Sequence, residues 1–413
     1  MRMSPRATDE PLDDRAPSAE PAADAVSGGE VPAAAAVPTG EVPAAAGEVP
    51  ANPAPAGEAA DPAAAAASGA RSPMRRGLSA GSATARRMVT GPNKPALVVS
   101  LLVSLFAALF VTSYSLAMGN PQPHDIPLAV VSESITPEQL GDGLERLTGT
   151  TFQVESLPTQ QAAEEALRSQ RIYGALVSGQ GDDATLLISS ASGASIANVI
   201  KSGAPAVGQT FGLTIEVTDV NPLRPNDPSG LVLFYLALAA TIIGFVGAIQ
   251  TRVNASGMTI GGELGWDAGR AALVGLVIAL TTGPVFGFET FPLVPVWGVL
   301  ALQVFVAGAV YNFWRVVVGG KWALMPTWIL FILISNPSSG GAVAPQLLPP
   351  FYEFMGRWMP TGATVRALRD LAYFPGAVHL EPYLVLGGWL VVATAAFVIA
   401  RRVRYGFGRV EKG

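Results

Sequence analysis

The chain has 413 residues, 50% of them hydrophobic and only 14% charged, with a mean hydropathy of +0.39. An ordinary soluble domain carries about 25% charged residues, so a single water-soluble enzyme core is excluded. Cysteine is absent and histidine occurs only at His124 and His379, which removes disulfides, thiolate nucleophiles and multi-histidine zinc sites and leaves little material for a serine triad. The net charge of −5 hides two halves: residues 1–70 hold 11 acids against 3 arginines, whereas residues 71–413 hold 23 bases against 20 acids.

Residues 1–70 repeat Gly-Glu-Val-Pro at 29–32, 40–43 and 47–50 between Ala-rich spacers. Such a stretch is too proline-rich for helix and too polar for a core, and reads as a disordered cytoplasmic tail. No apolar h-region occupies the first 30 residues, so no cleavable signal peptide is expected and insertion starts from an internal span. Within 71–94 the charge reverses, with Arg71, Arg75, Arg76, Arg86, Arg87 and Lys94 and no acid. A basic block ahead of an apolar run orients a span by the positive-inside rule and touches anionic lipid; nucleic-acid binding is not expected.

Six uncharged apolar runs follow, at 95–118, 231–251, 271–288, 293–313, 322–335 and 383–400. Most reach the ~17–25 residues that a helix needs to cross a bilayer. The fifth is short and runs into Asn336-Pro337-Ser338-Ser339-Gly340-Gly341, so it is expected to end in a partly re-entrant element. With the N-terminus inside, 15 of the bases beyond residue 70 are cytoplasmic and 8 external, and the even number of spans returns the basic 401–413 tail to the cytoplasm.

Two segments are expected outside. Residues 119–230 alternate strand-like and helix-like stretches: strands at 126–131, 151–157, 172–177, 184–190 and 213–220, and helices at 137–147, 159–169 and 194–207. This is an α/β domain inserted between the first two spans, with the Pro-rich 221–228 as a hinge. Residues 342–382, with Phe351, Phe354 and Trp358, then Val365, Leu368 and Leu371 at helical spacing, read as an amphipathic helix or helix pair lying at the interface. The expected fold is thus an all-α polytopic bundle of six transmembrane helices carrying an extracytoplasmic α/β domain, with 231–400 as a five-span core.

None of the six runs contains Asp, Glu, Lys, Arg or His, which disfavours ion-coupled transport and an intramembrane enzyme. No phosphate-binding loop is present: Gly319-Gly320-Lys321 is followed by Trp322, and Arg315 stands where the first glycine belongs. No catalytic, metal or cofactor site is expected. The inner connection 252–270, with Glu263, Trp266 and Asp267, is a candidate for seating in a separate ATPase, or else a linker anchored by Trp266. Its Gly257, Gly261 and Gly265 are expected to allow close helix approach. Asn336, Pro337, Ser338, Gly340 and Gly341 are a candidate gate or substrate contact, or else a turn returning the chain to the outer surface.

This order of elements resembles permease subunits of type-two ABC exporters, and more closely the actinobacterial branch of the phage infection protein group. The residues that carry it are Ile126-Pro127-Leu128-Ala129-Val130-Val131, Ile172-Tyr173-Gly174-Ala175-Leu176-Val177, Asp227-Pro228-Ser229-Gly230-Leu231, Asn336 to Gly341, and Pro360-Thr361-Gly362-Ala363. The resemblance covers 95–400. It implies a bacterial plasma-membrane permease that pairs with a copy or a paralogue, works with an ATPase chain and moves a lipidic or amphipathic cargo. A non-transporting envelope receptor or secretion component acting through the external domain is the second expectation.

Overall fold

The computed structural model describes residues 94–406 apart from 120, 122, 256 and 287–290. The expectations for the tail 1–70, the basic block before Lys94 and the last seven residues lie outside these. The described chain is mostly helical, with a five-stranded sheet near its start.

The first helix, α1 (Lys94–Met118), has 25 residues and spans roughly 37 Å at 1.5 Å per residue. Only Ser113 and Ala117 of it are buried. The sheet domain follows as β1 (Ile126–Val131), α2 (Pro137–Thr148), β2 (Phe152–Ser156), α3 (Gln160–Arg168), β3 (Gly174–Ser178), β4 (Asp183–Ile188), α4 (Ala194–Phe211) and β5 (Thr214–Asp219). Strand order is β2-β1-β3-β4-β5; all neighbours are parallel except the β3–β4 hairpin. Helices α2 and α4 cover one face, where Leu140, Leu144, Ile196 and Ile200 meet Leu128, Val130, Leu176 and Leu186. Helix α3 covers the other, setting Ala163, Ala166 and Leu167 on Ala129, Ala175 and Val177. Central β1 is therefore apolar on both sides, as a parallel strand under two helix layers must be. Thr136 starts α2 with a capping box: its hydroxyl accepts the Gln139 N–H while the Gln139 side chain accepts the Thr136 N–H.

The chain then enters α5 (Val232–Asn254), α6 (Ile260–Phe286) and α7 (Leu293–Val318). A short α8 (Leu324–Trp328) continues directly into a π-helical segment (Ile329–Ser335). A 3-10 turn (Pro345–Leu347), α9 (Pro350–Trp358), α10 (Pro360–Tyr373) and α11 (Glu381–Tyr405) complete it. Five helices, α1, α5, α6, α7 and α11, are long and apolar enough to cross a membrane, so the chain is a multi-pass membrane protein by length and composition. The fifth apolar stretch in chain order, Leu324–Ser335, is shorter.

Helix α7 is the hub, packed against α5, α6, α10 and α11. Two glycines allow α5 and α6 to cross α7 closely: a Cβ on Gly244 would meet the Val304 carbonyl at 2.6 Å, and one on Gly275 would meet the Ala301 backbone at 2.6 Å. The spacing 257/261/265 does not serve this purpose, since Gly257 lies in a turn and the Cβ positions of Gly261 and Gly265 face open space.

Four helix ends differ from expectation. Helix α6 begins at Ile260 instead of 271, α5 extends to Asn254, α7 to Val318 and α11 to Tyr405, so the charged residues flanking the apolar runs belong to the helices. The 252–270 connection accordingly shrinks to 255–259. The 342–382 segment also departs from an interfacial layer. Helix α9 does expose Phe351, Phe354 and Trp358, but α10 is buried from Pro360 to Val365 and again at Ala367 and Leu368, inserted against α5, α7 and α11.

Candidate functional site

The break after the fifth apolar stretch is built from a widened helix. The Asn336 N–H reaches back five residues to the Phe331 carbonyl, the π pattern, and the chain leaves the helix at once through Pro337. Asn336, Ser338 and Ser339 are buried, so their polar groups require partners. The Asn336 amide donates to the Tyr114 hydroxyl on α1, and the Ser338 hydroxyl donates to the Ile334 carbonyl at 2.6 Å. Gly341 packs against Phe234 of α5. At Gly340, with φ +71°, the backbone takes the left-handed turn that favours glycine, and its carbonyl accepts from Arg369 at 2.8 Å.

Helices α9 and α10 form a tight elbow over this break. Pro350 and Pro360 occupy the first helical positions, where a missing N–H costs nothing. A Cβ on Gly356 would collide with the Ser338 carbonyl, and one on Gly362 with the Gly356 carbonyl. Arg366 reaches back to the Gly356 and Arg357 carbonyls at 2.9 and 2.7 Å, satisfying the C-terminal end of α9. From the elbow a buried polar chain crosses the bundle. Ser335 donates to Thr361 at 2.8 Å; separately, Thr364 donates to Gln303 of α7 at 3.0 Å, and Gln303 donates to Thr241 of α5 at 2.7 Å.

The sheet domain is docked on the same element. The Ser195 hydroxyl accepts the Ala344 N–H at 3.0 Å, Tyr173 donates to Gln346 at 2.9 Å, and Gln170 donates to Asp370 of α10 at 2.7 Å. Ala344 and Leu347 join the domain's own core. Burial pushes the Tyr173 phenol up, and the Arg369 guanidinium opposes that shift. Asp227 ends the Pro-rich hinge by accepting the Leu231 and Val232 N–H groups at 2.9 and 3.2 Å, a cap that starts α5. Its carboxyl is raised by burial against the pull of those same donors.

At the opposite end of the bundle the Glu263 and Asp267 side chains are not on a loop surface. They occupy the first turns of α6, 0% and 2% exposed, and meet four arginines from four helices. Glu263 is paired with Arg252 of α5, Arg401 of α11 and, at 3.3 Å, Arg315 of α7. Asp267 pairs with Arg270 at 3.0 Å and accepts from Asn312 at 2.6 Å, while Arg270 also donates to Thr251 at 2.8 Å. Arg401 further donates to the Met258 carbonyl at 2.6 Å, tying α11 to the α5–α6 turn. Trp266, on the other face of α6, is 67% exposed.

Of the sequence-derived candidates, Asn336, Ser338, Gly340 and Gly341 come together with α9, α10 and the sheet domain, and Pro337 lies between them. Glu263 and Asp267 come together with each other but face away from Trp266. The run 271–288 is uncharged as read, but the helix that carries it begins at Ile260, so Glu263 and Asp267 belong to the same apolar helix, Ile260–Gly283. Sequence reading missed Thr364, Gln303 and Arg366, and singled out Thr361 only within the Pro360–Ala363 motif. The signal for the ion cluster was present: 263, 267 and 270 follow the i, i+4, i+7 rule of one helix face. Comparison with family models, curated proteins and solved structures returns no match, so the functional reading rests on these residues and their geometry.

Proposed function

We propose that this chain is the permease subunit of an ABC-type exporter for an apolar or amphipathic molecule. In this reading it sits in a bacterial plasma membrane with six spans, α1, α5, α6, α7, α8 with its π segment, and α11, and with both termini cytoplasmic. One observation carries the proposal: the interrupted element 324–373, with short helices, prolines and a buried polar chain, is packed among apolar helices. Chain breaks at membrane depth are tolerated where they face protein or a water-accessible path, and such breaks commonly form substrate sites in transporters.

The chain has no nucleotide loop, so ATP is hydrolysed by a separate subunit. That subunit docks at the end opposite the sheet domain, where Trp266, Val253 and Val403 are exposed. The nearly uncovered α1 supports pairing with a second copy or a paralogue. The test is purification of the complex at physiological expression. Trp266→Ala is expected to weaken ATPase association by about thirtyfold, the loss of a tryptophan anchor worth ~2 kcal/mol. If no ATPase co-purifies and the Trp266→Ala protein keeps full cellular function, the exporter reading gives way to an envelope receptor or secretion component acting through the sheet domain.

A further inference from the structure

We infer that the protein holds an anionic phospholipid, its phosphate in an arginine-lined cavity at the α9–α10 elbow and its acyl chains along the flank of α11. The inference deepens the permease reading by naming the chemistry of an amphiphile it recognises, and it rests on that reading for the placement of α11 in a bilayer.

The cavity has a volume of about 370 Å³ and lies between the polar break and the elbow. Arg357, Arg366 and Arg369 line it, together with Glu353 and Glu381. Both acids are already engaged: Glu353 binds His124 at 3.1 Å and Glu381 binds Arg357 at 2.8 Å. Arg366 spends two N–H groups on the carbonyls of α9, and its buried Nε has no partner among the described residues. A buried guanidinium N–H without an acceptor is costly, and an added phosphate oxygen would satisfy it.

The second half of the site is apolar. Glu381 borders both this cavity and a groove lined by Trp358, Leu384, Gly388, Trp389 and Val392. Nothing lies within 4 Å of the Cβ position of Gly388, which leaves the groove open there. From Glu381 to Val392 the helix rises roughly 17 Å, about half of the ~30 Å hydrocarbon thickness, which is the depth of one leaflet. Glu381 is also the first residue of α11, so the cationic cavity stands at the mouth of the span and the groove runs down from it. Charge above and one leaflet of apolar groove below match a phospholipid and not a free anion. Arg357 is the adjustable contact: it is 65% exposed and released from Glu381 it can turn to a phosphate.

The experiment uses the full chain in neutral detergent, without nucleotide or ATPase, so its outcome is independent of whether an ATPase partner exists. Trp358 and Trp389 line the groove, so quenching of tryptophan fluorescence by short-chain phosphatidylglycerol with brominated acyl chains reports occupancy. Phosphatidylglycerol is expected to bind about tenfold tighter than phosphatidylcholine of equal length, and inorganic phosphate is expected not to displace it. Arg357→Gln should weaken binding about tenfold, and Glu381→Gln should tighten it by freeing Arg357. Gly388→Leu, at a position with open space, should remove the quenching without changing the fold. Equal quenching by both lipids, unaffected by Arg357→Gln, would reduce the groove to ordinary lipid contact and overturn the inference. Displacement by phosphate alone would overturn it in favour of a free-anion site.

Discussion

At the scale of single residues, the most exacting demand is made by Glu263. A carboxylate with no exposed surface is sustained by Arg252, Arg315 and Arg401, which converge on it from three other helices. Replacing one member of such a buried set leaves the others uncompensated, at a cost of about 3–5 kcal/mol. Glu263→Gln is therefore expected to lower the thermal unfolding temperature of the detergent-solubilised protein sharply, and Glu263→Gln with Arg401→Gln to lower it less than the sum of the two single changes. Additivity in that cycle would remove the coupling. Backbone contacts are equally unforgiving at the elbow. Gly356→Ala places a methyl on the Ser338 carbonyl, which cannot move aside as a side chain could, and should cost about 1–3 kcal/mol in the same assay. The acidic residues of 252–270 were legible as notable, but a hydropathy window counts charges and cannot see that arginines distant in sequence neutralise them. Hence a helix face was read as a loop.

At the scale of elements, the sheet domain was readable because both of its periods are clean. The expected strand 126–131 is β1 itself, the expected helix 137–147 is α2 within a residue, and Thr136 with Gln139 signals its start. Helix α10 was harder, since Val365, Leu368 and Leu371 at helical spacing suggest one apolar and one wet face. Its polar residues Thr361, Thr364 and Asp370 are nevertheless buried, matched by Ser335, Gln303 and Gln170, partners that local sequence cannot supply. Two element-level outcomes follow. Gly203 sits inside α4 beside an apolar cavity of about 50 Å³, and its Cβ position is empty. Gly203→Ala is expected to stabilise α4 by about 1 kcal/mol, visible as slower amide exchange of the domain. Helix α1, by contrast, depends on few contacts: Ser113 donating to the Leu333 carbonyl at 2.6 Å, Tyr114 with Asn336, and Phe106 and Phe110 beside Trp328. Ser113→Ala with Asn336→Ala should broaden the distance between spin labels placed on α1 and α7, whereas an unchanged distribution would mean that other groups hold α1.

At the scale of the whole molecule, the two ends of the bundle differ in how they are held. One end carries the sheet domain, hydrogen-bonded through Ser195, Tyr173 and Gln170 to the 344–346 turn and α10. The other carries the ion cluster joining α5, α6, α7 and α11. Several arginines counted as loop charges for orientation, Arg252, Arg315 and Arg401, are helix residues consumed in that cluster, so the orienting charge of this end comes from fewer exposed bases. They still lie on the same end of the bundle, and moving them through hydrocarbon would carry several charges at a few kcal/mol each. The permease reading thus makes a topological demand. Because the chain contains no cysteine, single cysteines can be introduced without background. Gly181→Cys, in the β3–β4 turn, is expected to react in intact cells with a membrane-impermeant maleimide. Gly257→Cys and Gly319→Cys, beyond the ends of α5 and α7, are expected to react only after the membrane is opened. Labelling of Gly319→Cys from outside would place the ion cluster on the external face, remove the docking surface around Trp266 from the side where ATP is available, and end the exporter reading on topology alone.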